Sequence, residues 1–540
     1  MSRPVVHGAG DLSGLTVLAQ GPHSLGPDGS PLTETLRVPS ERLLPGPVGA
    51  RLRVVVLDAH GRVDAQLLGD GDWGAIDKAP PSDPDLLVGD GRFLAQQAYA
   101  VAAHTQARFE KALGRRISWA GGGRLTLYAN DKIDYANTGY NRSDCSIRFG
   151  KIKDPRFSAR LPLALYRDLV AHEVTHAVLD GYRPRWADSL AGADSLAMHE
   201  ALADLVAVLG VFGTVPVVQE IIGTEMAARG GTLETLGSDL LASGLFRFAD
   251  RLFSHGRSAR EPLAGTLPEN WRTEIEPHRR AAGVVNAILT TVLRLWRQEL
   301  GRPGRRASVY QVAAAGSRIG ERVLNMLLRG IAYMAPVDVG FEDLLRGILA
   351  ADGAVVPQDE HNYRGVLRTC FAEVGIVTAT DDSLSGISGL KELNYPIRIS
   401  SLSSDPDEVL RFIWDNPVLM EAAKLDSGAE MSIDRVRPSV RISPEGFAVS
   451  EMGASFAQTL HLAPGEARKL GLHTRSSVVL RGGGLLRFDE GGKLCFAALK
   501  PVLDVKRQQT LLDGAEDART AARNVATSLF HPDLADPVTS

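Results

Sequence analysis

The feature that most constrains this chain is a pair of apolar helical segments, each carrying metal-binding side chains at one-turn spacing. The first, LPLALYRDLVAHEVTHAVLDG, contains His172-Glu173-Val174-Thr175-His176. Apolar residues recur there at three and four, the period of a helix with a buried face. Positions i and i+4 of a helix lie on one face about a turn apart, so both imidazoles can reach a single ion. Two surface histidines on an amphipathic helix would leave the same five letters, so the motif alone does not decide. A second segment, DSLAMHEALADLVAVLG, carries Glu200 24 residues after His176, with Asp204 one turn further on. With Glu200 as third ligand beside His172 and His176, the set is His₂Glu with one position open for water, as catalytic zinc needs. A structural zinc site closes all four positions with protein ligands, and no fourth ligand is evident. Asp204 is placed to accept the free ring N–H of a ligand histidine, which fixes the tautomer and raises ligand basicity. Glu173, one residue past the first ligand, is the expected catalytic base. His199 directly precedes Glu200, points elsewhere on the helix and is not expected to ligate.

The segments around this pair predict an α+β chain. At 540 residues it is too long for one compact core, and length alone predicts three or four domains. Residues 1–80 read as a β-rich domain of short strands separated by Pro-Gly turns. Residues 85–185 form a mixed α/β lobe. It opens with a helix over Arg92–Gly114, continues through strand-like RLTLYAN and SIRFG, and ends with the HEVTH helix. Residues 186–376 are helical and supply the third ligand. Residues 377–540 form a mixed C-terminal domain of unknown role, with TATDDSLSGISG as linker, one amphipathic helix (DPDEVLRFIWDNPVLMEAAK) and strands such as SSVVLRG and KLCFAALK. The run of strands, then a mixed region, then helices differs from repeating βαβ units.

Composition narrows the partners. The net charge is -4 with both signs mixed, so no basic face predicts nucleic acid. No window approaches 18 uninterrupted apolar residues, so no membrane span is expected. The N-terminus lacks the charged and apolar regions of a secretory signal. Three scattered cysteines (Cys145, Cys370 and Cys495) argue for a reducing compartment, so the expected location is the cytoplasm.

HEVTH followed by HEALAD resembles the HExxH…ExxxD pattern of the thermolysin-like gluzincin zinc metallopeptidases, most closely a little-characterised bacterial group of that type. The resemblance runs from about Leu36 to Phe371 and includes RVPSERLLPGPVGARL, EPHRRAAGVVNAI and YMAPVDVGFEDLLRGILAAD. Metzincins are excluded, because glycine and histidine would be needed where Leu179 and Tyr182 stand. The resemblance implies a core of a mixed lobe and a helical lobe, one Zn²⁺ per chain, and endopeptidase activity with Glu173 as base. It implies further that an edge strand before the zinc helix binds the peptide backbone, which would be Asn137, Gly139 and Tyr140. An oxyanion-steadying histidine would be His278, followed by Gly283 and Asn286 at a spacing one residue longer than the family's. The family's tyrosine between HExxH and the glutamate has no equivalent, since Tyr182 lies too early; Arg260 is a weak candidate for a carbonyl contact. Calcium is left open, with no signature in the sequence.

The expected partner is a polypeptide substrate, with a regulatory partner or a dedicated protein target as further options. The competing reading is a non-catalytic, zinc-stabilised scaffold or regulator, against which the intact Glu173 counts. At least one of the flanks, residues 1–80 or 377–540, is expected to limit access to the cleft or select the substrate. On that view a chain spanning 85–376 should cleave faster or less selectively than the whole.

Overall fold

The protein is described from a computed structural model covering residues 12–524, apart from 27, 59, 65–66, 68–76, 134–137, 230–244, 246–266, 268–269, 302–307, 379–404, 406, 427, 435 and 444–445. The architecture is α+β, as the sequence predicts. Strands β1 (Leu12–Leu18) and β2 (Thr33–Pro39) form an antiparallel hairpin. Next come β3 (Leu52–Val55), the short helix α1 (Pro84–Gly89) and the long helix α2 (Gly91–Leu113). Then β4 (Leu125–Tyr128), β5 (Gly139–Asn141) and β6 (Ser146–Arg148) join β3 in one sheet of order β3-β4-β6-β5. The β3–β4 and β4–β6 pairs are parallel and β5–β6 is antiparallel, which leaves β5 on the edge. A two-stranded ribbon, β7 (Lys151–Ile152) with β8 (Leu161–Pro162), leads into α3 (Arg167–Tyr182), the helix of HEVTH.

The boundaries of α2 follow from its ends. Asp90 caps the start by accepting from the Phe93 N–H at 2.9 Å. Gly114 ends it in the left-handed region at φ 67°, where a Cβ would lie 2.4 Å from the Val440 carbonyl oxygen. The apolar-face histidine of this helix, His104, contacts the Arg37 carbonyl through Nδ1 at 3.0 Å, and burial lowers its pKa to about 4.

The helical part comprises α4 (Ala193–Phe212), α5 (Val215–Arg229), α6 (Pro277–Leu300), α7 (Val309–Ile331), α8 (Phe341–Val355) and α9 (Tyr363–Glu373). Helix α4, the helix of Glu200, is the one described helix long and apolar enough to cross a membrane, and it is 94% buried inside the protein. Its apolar faces are filled by α3, α6 and α7 instead.

Beyond this lie the helices α10 (Asp407–Asp415) and α11 (Pro417–Ala423) and the strands β9 (Glu430–Ile433), β10 (Arg437–Ile442) and β11 (Ala448–Leu462). The chain continues with α12 (Pro464–Lys469), β12 (Val478–Asp489), β13 (Leu494–Lys500) and α13 (Val505–Asn524). The five strands make one antiparallel sheet, in which β10 and β9 pair with successive stretches of the long β11.

Two expectations change here. The single helix expected across DPDEVLRFIWDNPVLMEAAK is two, because Pro417 has no N–H to continue the ladder and starts α11 at its first position. The boundary expected near residue 80 does not separate two cores. Leu15, Val17, Leu36, Val38, Leu52 and Val54 pack in the same apolar core as α2, α3 and α4, and β3 pairs directly with β4. Val409, Phe412, Phe456 and Phe488 do form a distinct core in the C-terminal part. The TATDDSLSGISG stretch lies almost wholly outside the described residues.

Candidate metal centre

Helices α3 and α4 pack side by side and bring three donor atoms together. His172 Nε2 and His176 Nε2 lie 2.9 Å apart. Glu200 Oε2 is 3.4 Å from the first and 3.6 Å from the second. An ion held tetrahedrally by bonds of about 2.0–2.1 Å sets its donors roughly 3.3 Å apart, within the spread of these separations. All three residues are at most 4% exposed. The donor set of two imidazoles and one carboxylate therefore fits a metal ion in both geometry and chemistry.

The surroundings prepare those donors. His172 Nδ1 faces Asp204 Oδ1 at 3.0 Å, so the carboxylate holds the proton on that nitrogen and leaves Nε2 its lone pair. Asp204 thus sits where the sequence places it. His176 Nδ1 lies 2.7 Å from His199 Nδ1, with the two rings within 8° of parallel. Sequence reasoning missed this use of His199. A residue adjacent to a ligand points away from the ion, yet on a helix packed against α3 that direction leads to the far side of His176. Burial opposes charge on Glu200, but His278, His176 and His172 together hold its carboxyl well below the usual carboxylate range.

Glu173 is 1% exposed, and its Oε2 accepts the Tyr140 backbone N–H at 3.0 Å. Gly139 and Tyr140 therefore lie where an edge strand was expected. Since the Tyr140 N–H turns away from β6, its carbonyl does too, and these are the edge groups of the sheet. The Tyr140 phenol points elsewhere. It donates to Asp180 Oδ2 at 2.7 Å, and Asp180 is paired with Arg142 at 2.6 Å. Burial and Asp180 both push that phenol's pKa up. Asn137 and Arg260 lie outside the described residues.

His278 joins the centre from α6. Glu276 caps that helix by accepting from the His278 and Arg279 N–H groups, with Pro277 between. This places His278 Nδ1 3.1 Å from Glu200 Oε2 and 4.0 Å from Asp204 Oδ2. Gly283, read as part of the same pattern, has a packing reason: a Cβ there would meet the Trp271 ring at 2.6 Å. Tyr182 lies at the far end of α3, with Arg115 and Arg183 stacked on its ring, and is no part of the centre.

Replacing Asp204 with alanine is expected to lower metal affinity roughly 10–100-fold without removing a ligand. Competition against a graded series of chelators measures it, and an unchanged affinity would show that Asp204 does not support His172. No known family model matches the chain, and no curated protein matches it either.

Proposed function

We propose that the chain is a zinc-dependent endopeptidase of the gluzincin type, acting on polypeptide in the cytoplasm. The observation that carries this reading is the convergence of His172 Nε2, His176 Nε2 and Glu200 Oε2, with the Glu173 carboxylate one residue from the first ligand. Bound there, zinc would supply Lewis-acid polarisation of a carbonyl and acidification of water.

The chain's own residues do the rest. Glu173 takes a proton on a carboxylate oxygen and returns it to the leaving amine. Tyr140 offers its outward carbonyl to an extended substrate, which adds to β5 as one more strand, while its N–H stays on Glu173. His278, held on Glu200 through Nδ1, stands as the donor to a developing oxyanion. Asp204 and His199 keep the two ligand rings in register.

Burial favours the alternative of a metal-stabilised scaffold, since Glu173 is 1% and His176 2% exposed and an extended chain needs a path to both. Against it stands the position of a carboxylate one residue past the first ligand, although Glu173 also anchors β5 through the Tyr140 N–H. Metal analysis of the purified protein should find about one zinc per chain. The double variant His172→Ala/His176→Ala should lose it, and zinc retained in full by that variant would overturn the site.

A further inference from the structure

A second feature of the molecule lies away from the metal centre, where the far end of α3 meets the C-terminal sheet. A cavity of about 590 Å³ opens there, lined by Arg115, Arg116, Arg142, Arg183 and Arg487. Its two acidic residues, Asp180 and Asp434, are already engaged, the first by Arg142 at 2.6 Å and the second by Arg185 at 2.7 Å. Arg487 is held by Glu451 at 2.5 Å. Arg115, Arg116 and Arg183 remain, and among the described residues none of the three makes an ion pair with a carboxylate.

Arg183 is the least comfortable of these. It is 5% exposed, and it spends one Nη on Ser455 Oγ at 3.0 Å and the other on the Met334 carbonyl at 3.2 Å. Its Nε is buried with no hydrogen-bond acceptor among the described residues. A buried guanidinium without a counter-charge is unfavourable, and an anion beside it offsets that cost. Asp434 acts on Arg183 from across the cavity, yet guanidiniums dominate the surroundings. Burial alone would raise the pKa of the Tyr182 phenol, yet Arg115, Arg183, Arg487 and Arg441 pull it below the usual value.

We infer that this cavity is a binding site for a small, multiply charged oxyanion, held by Arg115, Arg116 and Arg183. Planar guanidinium forks match phosphate and carboxylate oxygens two at a time, which a point charge does not. The volume suits a small molecule and not a polypeptide strand. Both guanidiniums beside Tyr182 lie over its ring, at 4.4 and 4.6 Å, so recognition rests on charge and not on aromatic stacking. The walls come from both parts of the chain. Arg115 and Arg116 follow α2, Arg183 ends α3, and Ser439, Ser455 and Arg487 belong to the C-terminal sheet. An occupant would clasp the two parts together. Its wall also includes the Arg142–Asp180 pair, and Asp180 anchors Tyr140, whose N–H lies on Glu173.

The test is calorimetric titration of the full-length protein with inorganic pyrophosphate, ATP and citrate in separate arms. At least one is expected to bind saturably and to weaken with added salt. Pyrophosphate and ATP without citrate would assign the site to phosphate compounds, and citrate alone to polycarboxylates. The double variant Arg115→Gln/Arg116→Gln should bind about tenfold more weakly or worse. Both side chains are at least partly exposed, so circular dichroism should find the fold intact, and Arg116→Gln alone, at the more exposed position, provides a milder second variant weakened severalfold. No binding by any of the three at millimolar concentration overturns the inference. So does binding that both variants leave undiminished, because that anion would sit elsewhere, such as on the metal.

Discussion

Glu173→Gln is expected to abolish peptide hydrolysis, a loss of roughly 10²–10⁴-fold, while metal content and fold stay as in the wild type. The substitution conserves volume in a position 1% exposed, so packing along α3 is undisturbed. The amide oxygen can still accept the Tyr140 N–H that Glu173 Oε2 accepts now at 3.0 Å, so β5 keeps its place. What is lost is the ability to take up a proton at neutral pH. Rates on a generic unfolded protein, with zinc measured on the same samples, separate the cases. A variant that cleaves at the wild-type rate would remove Glu173 from the mechanism. A zinc-loaded wild type that cleaves nothing, across many unfolded substrates, would favour the scaffold.

The readable part of this site was the part set by helical period. His172, His176, Glu200 and Asp204 sit at i and i+4 on two apolar helices, and a period of 3.6 fixes which face each occupies whatever the helices pack against. His278 was reachable only through the family resemblance, since nothing in local spacing relates it to residues some eighty positions earlier. Its local setting in Glu276-Pro277-His278 is a helix start, and the cap that aims it is visible in the sequence once that start is known. His199 and Asp180 were not readable. Each acts across an interface, His199 on His176 of the neighbouring helix and Asp180 on Tyr140 of the sheet edge, and single-sequence periodicity carries no information about which helix faces which. The fold shows the same division. The end of α2 at Gly114 and the strands β4, β6, β12 and β13 could be placed from local signals, whereas the long β11 could not. The continuity of the core across residue 80 could not, because a Pro-rich stretch looks the same whether it joins two domains or crosses the surface of one.

That continuity reverses the expected outcome of truncation. A chain spanning residues 85–376 retains every metal ligand and the base, and it is expected to fail to fold. It lacks β1, β2 and β3, and with them Leu15, Val17, Leu18, Leu36, Val38, Leu52 and Val54, all at most 5% exposed and all in the core shared with α2 and α3. Burying an aliphatic side chain of this kind contributes roughly 1.5–3 kcal/mol. Seven of them outweigh or match the roughly 5–15 kcal/mol by which a native domain is usually stable. Polar partners go too. Arg167, 4% exposed, would lose the Glu34 carboxylate that pairs with it, leaving a buried cation at the start of the metal-bearing helix. Gln97 would lose the Leu18 N–H it accepts at 2.8 Å, while its own amide still reaches the Leu165 carbonyl just before that helix. Deleting residues 377–540 instead removes the distinct C-terminal core and, from the shared core, Leu485, Phe496 and Ala498, but spares the sheet of β3 to β6, so the chain 1–376 is the one expected to keep zinc and a cooperative melt. Thermal unfolding followed by circular dichroism on both truncated chains decides the matter. A cooperative transition in 85–376 at the temperature of the full chain would show the three strands to be a separate unit after all.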